Sequence, residues 1–364
     1  MRTAFLDNIR IALTALVIFH HTAITFGAPG AWYLHEITWD GGTGVLQLLL
    51  MFFVAVNQSF FMGFFFLIAG YFTPGSLEKK GSARFIWDRF TRLGIPLLIY
   101  GFLIGPATIA IVRSSGGGSF FESLISIMKQ VKFSTGPMWF VQALLIFAVV
   151  HVILSLIWKD TGKRPHEFPS GKAILLSVFL VAGVAFLIRL IVPVGREVLG
   201  MQIGYFASYA FLFFAGCFAW NSRLLEKVEF RRITPCLITA LVALLIYPFV
   251  VVSMGIEGFS GGLNINAAIY ALWEPLAGFG IILFMLWFFR KRLNNAGRIS
   301  RWLSRRAYAV YIIHPPVVVG ASMALHAWVC PVLVKIAVVG SLACACCLAV
   351  SSLLLLIPCA EKVL

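Results

Sequence analysis

Ten separate stretches of about twenty mostly apolar residues, at roughly 9–27, 45–73, 93–112, 137–158, 173–192, 204–221, 235–254, 266–289, 307–328 and 331–357, decide what this chain can fold into. Each is long enough to cross a bilayer as a helix. A chain of 364 residues that is 60% hydrophobic and 12% charged has too little polar surface to cover a water-soluble core. The expected fold is therefore an all-α integral membrane protein, with about ten transmembrane helices in one bundle. Residues 1–364 read as a single transmembrane domain, with no inverted repeat and no cleaved signal peptide.

The net charge of +15 would suit nucleic acid if the cations formed a surface, but they sit in short loops between spans. One set of alternate loops carries Lys79, Lys80, Arg84, Arg89 and Arg92, then Lys159, Lys163, Arg164 and Lys172, then Arg223, Lys227, Arg231 and Arg232, then Arg290 to Arg306. The opposite set holds only Arg113, Lys129, Lys132 and Arg196. By the positive-inside rule the rich loops and both termini are cytoplasmic, which requires an even number of spans. The expected partners are membrane lipid and small substrates, with no nucleic acid.

Ionisable side chains inside apolar helices are costly and mark functional sites. In "LDNIRIALTALVIFHH" Asp7, Arg10 and His21 share one helical face, because eleven residues make about three turns and about 16 Å of rise. Arg10 then lies at the cytoplasmic edge and His21 near mid-membrane, while His20 is turned away and can serve either a neighbouring helix or the substrate. "SRRAYAVYIIHPP" places Ser304, Tyr308, Tyr311 and His314 on a common face, either a packing seam or a lined site. In "RFIWDRFTRLGIP" Arg89 and Arg92 fall on one side of an expected short amphipathic helix, where they answer the positive-inside rule or grip phosphates. Glu274 in "YALWEPLAGFG" either accepts hydrogen bonds from a sugar or pairs with Arg189. Trp139 stands where an interfacial aromatic belt residue is expected, and the loop with Trp32, His35, Trp39 and Asp40 suits a sugar binder and such a belt equally. Cys344, Cys346 and Cys347 lie among small apolar neighbours and read as packing residues; no metal site is expected.

Taken together these segments resemble the membrane-bound acyltransferase 3 family. The first helix is similar to that family's Leu-Asp-x-x-Arg pattern with an Arg-x10-His pair, through Asp7, Arg10 and His21. "FFFLIAGYF" resembles its Phe-rich Ser-Gly-Phe helix end with Ala69 in place of Ser. "RFTRLGIP" follows its Arg-x-x-Arg-x-x-x-Pro loop, and "MWFV" its Trp-Phe pair through Trp139 and Phe140. "SRRAYAVYIIHPP" follows its Ser-x-x-x-Tyr-x-x-Tyr-x-x-His-x-Pro signature. The family's occasional extra soluble domain has no counterpart.

The resemblance implies transfer of an acyl group, acetyl or succinyl, from cytoplasmic acyl-CoA to a hydroxyl of an extracytoplasmic glycan, polysaccharide or lipid-linked sugar, in a bacterial cytoplasmic (inner) membrane. No tightly bound cofactor is implied, since acyl-CoA (acetyl-CoA or succinyl-CoA) is a co-substrate. His21 is the expected base, its ordinary pKa of about 6.5 suiting proton removal near neutrality. Asp7 would orient Arg10, and Arg10, Arg89 and Arg92 would hold the phosphates, with Ser304 and Tyr311 also on the donor. Glu274, Trp139 and His20 would face the acceptor. The division of labour between His21 and His314, and direct transfer against an acyl-histidine relay, stay open. A proton-coupled transporter or lipid flippase is the alternative that the buried histidines also fit.

Overall fold

The structure is a computed structural model that describes residues 3–39, 44–130, 133–157, 167–358 and 360–363. Among them there are no strands. The helices are α1 (Ala4–Thr25), α2 (Val45–Lys80), α3 (Ser82–Ser114), α4 (Phe120–Lys129), α5 (Trp139–Ile157), α6 (Gly171–Ile191), α7 (Phe206–Asn221), α8 (Phe230–Met254), α9 (Ile265–Arg292), α10 (Arg298–Ala324) and α11 (Val332–Leu354). Nine of the described helices, α2, α3 and α5–α11, are long and apolar enough to cross a membrane. α1 has the length, at 22 residues, but Asp7, Asn8, Arg10 and two histidines dilute its hydropathy. The ten expected spans thus coincide with ten helices. Asp40, Lys132, Lys159, Lys163 and Arg164 lie outside the described residues.

The helix ends follow local rules. Ser119 accepts from the Glu122 amide in a Ser-x-x-Glu box, and Asn264 accepts from Ala267 at 2.9 Å to open α9. Gly81, at φ +73°, separates α2 from α3, a left-handed turn that side chains with a Cβ resist.

α3 departs from the expected short amphipathic helix, because the segment with Arg89 and Arg92 runs without a break into the next span. It does so through two π-helical stretches, Phe90–Gly94 and Tyr100–Ile104, each just before a proline, Pro96 and Pro106. A proline has no N–H to give and its ring crowds the carbonyl four residues back, so the helix widens by one residue there.

By its contacts the chain divides into two compact units, each built from three segments. The first comprises Met1–Ile9, Ala55–Ile86 and Ile146–Ala296, and holds α6 to α9 with most of α2. In it α2 and α7 cross at glycines. A Cβ on Gly70 would collide with the Phe213 carbonyl, and one on Gly216 with the Leu67 carbonyl. In lipid, where apolar burial does not drive helices together, such close backbone packing is a main source of association. Phe66, Phe147, Tyr209 and Phe213 interleave around this crossing, with ring centres 5.2–5.4 Å apart.

The second unit comprises Arg10–Val54, Trp87–Leu145 and Gly297–Leu364, and holds most of α1 with α10 and α11. Its loop after α1 is pinned at several points. The Glu36 amide donates to the Thr25 carbonyl at 2.8 Å, the Trp39 indole to the Gly27 carbonyl at 2.9 Å, and the Tyr33 and Tyr100 hydroxyls meet at 2.8 Å. The Glu36 carboxylate also bonds the His326 ring.

Candidate active site

Two histidines that stand 293 residues apart in sequence meet inside the second unit: His314 Nε2 lies 3.1 Å from His21 Nδ1. Three residues of the face foreseen on α10, Tyr308, Tyr311 and His314, are engaged. The Tyr308 hydroxyl donates to the Arg92 carbonyl at 2.8 Å, the carbonyl that Pro96 leaves without its usual helical donor. The Tyr311 hydroxyl donates to the Pro137 carbonyl, and Phe140 packs edge-on against the same ring at 6.0 Å. This sets the "GPMWF" segment, with half-buried Trp139, beside the pair.

The reason for "HPP" is local. In a helix the Tyr311 carbonyl would accept from the N–H at 315, or in a wider turn from that at 316. Both are prolines and neither has one. His314 Nδ1 fills the gap, 2.6 Å from the Tyr311 carbonyl oxygen. A carbonyl only accepts, so Nδ1 carries the proton and, in the neutral ring, Nε2 carries the lone pair. His21 Nδ1–H must then be the donor to His314, which leaves the His21 lone pair on Nε2. His314 is fully buried and His21 half-buried, so the free basic nitrogen belongs to the less enclosed of the two rings.

Pro315→Ala would restore a backbone donor to the Tyr311 carbonyl. We expect nitrogen-15 spectra of histidine-labelled protein to show a larger share of Nε2-protonated His314, with turnover lower by up to about tenfold. Unchanged spectra would break the link between proline and tautomer.

A residue the sequence left undecided joins the pair. Trp32 stacks on His21 with ring centres 3.9 Å apart and planes 18° apart, and extends over His314 at 5.9 Å and 14°. Nothing local marks it, since an interfacial tryptophan looks the same in sequence. His20 is buried and meets His21 edge-on at 5.3 Å. His35 and Trp39 are exposed.

Arg10 is half-buried on α1, eleven residues before His21, and Ser304 is half-buried on α10. Arg92 is about half exposed and pairs at 3.4 Å with Asp88, four residues earlier on α3; Arg89 is half-buried. Asp7 belongs to the first unit and is buried in the first turn of α1, where a helix N-terminus favours a carboxylate.

Glu274 also lies in the first unit, and of its two foreseen roles the structure makes the pair with Arg189. Both side chains are completely buried. The second carboxylate oxygen accepts from Ser208 at 2.7 Å, Arg189 Nε donates to the Gly204 carbonyl at 2.9 Å, and the guanidinium lies 5.0 Å from the Tyr270 ring and 5.4 Å from the Tyr205 ring. Among the described residues no group of three or more His, Cys, Asp or Glu is arranged to hold a metal. Cys347 is fully buried in α11, with Cys344 and Cys346 half-buried beside it.

The class of protein to which this helical bundle belongs, the membrane-bound acyltransferases, is given by the family comparison. The acyltransferase 3 family model, described as an acyltransferase domain, matches residues 3–355, and the chain belongs to that family. A comparison with curated proteins gave no match. Family membership favours the enzyme over a carrier.

Proposed function

We propose that this acyltransferase is an O-acyltransferase that moves an acetyl or succinyl group from cytoplasmic acyl-CoA to a hydroxyl of an extracytoplasmic glycan, polysaccharide or lipid-linked sugar, in a bacterial cytoplasmic membrane. The observation that carries the reading is the His21–His314 pair, whose hydrogen-bond geometry leaves the lone pair of His21 on Nε2.

His21 Nε2 takes the proton of the attacking hydroxyl as its oxygen bonds to the acyl carbon. The proton gained at Nε2 makes an imidazolium, whose charge is eased by the bond from Nδ1–H to His314. His21 then returns that proton to the departing thiolate. No acyl-histidine is needed, because Nε2 acts as base throughout. His314 is the positioning residue: it holds the tautomer and ring plane of His21, as an orienting partner does for other catalytic histidines.

Arg10, Arg89 and Arg92 suit the donor's phosphates. Guanidinium groups bind phosphate through paired hydrogen bonds, and the exposed fork of Arg92 needs only to leave Asp88. Ser304 and Tyr311 belong to the donor side of this reading, Trp139 and His20 to the acceptor side. Glu274, with both oxygens engaged, serves the fold.

The test is mass spectrometry of extracted surface glycans from cells with and without the gene, paired with transfer of labelled acetyl or succinyl from its CoA ester by purified protein. We expect one acyl mass to vanish with the gene and the matching CoA ester to be consumed. Identical glycans and no consumption by well-folded protein would return the carrier reading.

A further inference from the structure

The loop that stacks on the His21–His314 pair contains two tryptophans and one tyrosine among the described residues, and two of these three have hydrogen-bond partners. Tyr33 meets Tyr100 and Trp39 meets the Gly27 carbonyl. The third, the Trp32 indole N–H, is buried with no hydrogen-bond partner among the described residues. Buried donors are nearly always satisfied in folded proteins, so an orphan asks for a reason.

Its position supplies one. The indole lies almost parallel on the ring that carries the base, and spreads over the ring behind it. An indole nitrogen donates and cannot accept, so whatever completes it brings an oxygen lone pair. In acyl transfer the oxygen that gains charge is the acyl carbonyl oxygen, one bond from the carbon that the deprotonated hydroxyl attacks.

We propose that the Trp32 N–H donates to the carbonyl oxygen of the acyl group in transfer, which makes Trp32 a catalytic residue. This rests on the reading of His21 as base. As the hydroxyl oxygen bonds to the carbonyl carbon, its proton passes to His21 Nε2 and the carbonyl π pair moves onto the oxygen facing Trp32. When the carbonyl re-forms, the carbon–sulfur bond breaks, and the thiolate takes the proton back from His21. A donor fixed in place before the charge develops stabilises it without having to reorganise.

The experiment replaces Trp32 in the full-length protein by phenylalanine, and by benzothienylalanine, which keeps the bicyclic shape and has sulfur in place of N–H. Turnover is measured in lipid nanodiscs with acetyl-CoA or succinyl-CoA, whichever the purified protein consumes, and with the glycan that loses its acyl mass when the gene is removed. We expect kcat to fall by roughly 10²–10³-fold in both variants, with the KM for each substrate little changed. Normal turnover by the benzothienyl protein overturns the proposal. So does a defect confined to the KM of the glycan, which would assign the N–H to the acceptor instead. Wild-type protein that transfers no acyl group sinks the function and this role together, whereas active wild type with an indifferent Trp32 sinks only the role.

Discussion

His21→Ala, made at equal membrane abundance, is expected to lower kcat by about 10²–10⁴-fold, the usual contribution of a positioned general base. The loss has two sources. The variant removes the nitrogen that takes the hydroxyl proton, and it leaves His314 Nε2 and the face of Trp32 without the ring that they hold. Changes at His314 separate the two. His314→Gln keeps an oxygen able to accept from His21 Nδ1–H and should retain more activity than His314→Ala, in which the His21 ring is free to turn and exchange tautomers. Single-turnover rates with saturating donor would show the order wild type, Gln, Ala. Wild-type rates in both the His314 Ala and Gln variants would remove His314 from the mechanism.

Glu274→Ala is expected to cost the fold about 3–5 kcal/mol, because it strands a completely buried guanidinium. The readout is the fraction of protein that still elutes as a single species after heating in detergent. The double variant Arg189→Met/Glu274→Ala should be less destabilised than Glu274→Ala alone, since the orphaned cation goes too. If Glu274 were a sugar ligand instead, the single variant would keep its thermal profile and raise only the KM for the acceptor.

Ten of the eleven helices α1–α11, all but α4, were legible because the cost of placing a polar backbone in hydrocarbon forces long apolar helices, and that pattern is local. The faces of α1 and α10 were legible for the same reason: a helix repeats every 3.6 residues, so Arg10 with His21, and Tyr308 with Tyr311 and His314, had to align. The two π-helical stretches of α3 were not foreseen, although Pro96 and Pro106 were in view. A proline shows that a helical bond is missing, and does not show whether the helix answers by kinking or widening. Trp32 was ambiguous because a tryptophan at the membrane edge serves an aromatic belt as readily as an active site.

By itself, then, the sequence determined the solvent, the helices, their polar faces and, through the acyltransferase signature, the class of chemistry. The tertiary structure alone decided which polar groups meet. It joined His21 to His314, laid Trp32 on both, and matched Glu274 with Arg189 across 85 residues. The reason is physical: in lipid every apolar helix face is equally content, so partners are chosen by close packing and by hydrogen bonds between distant segments, which no local pattern records.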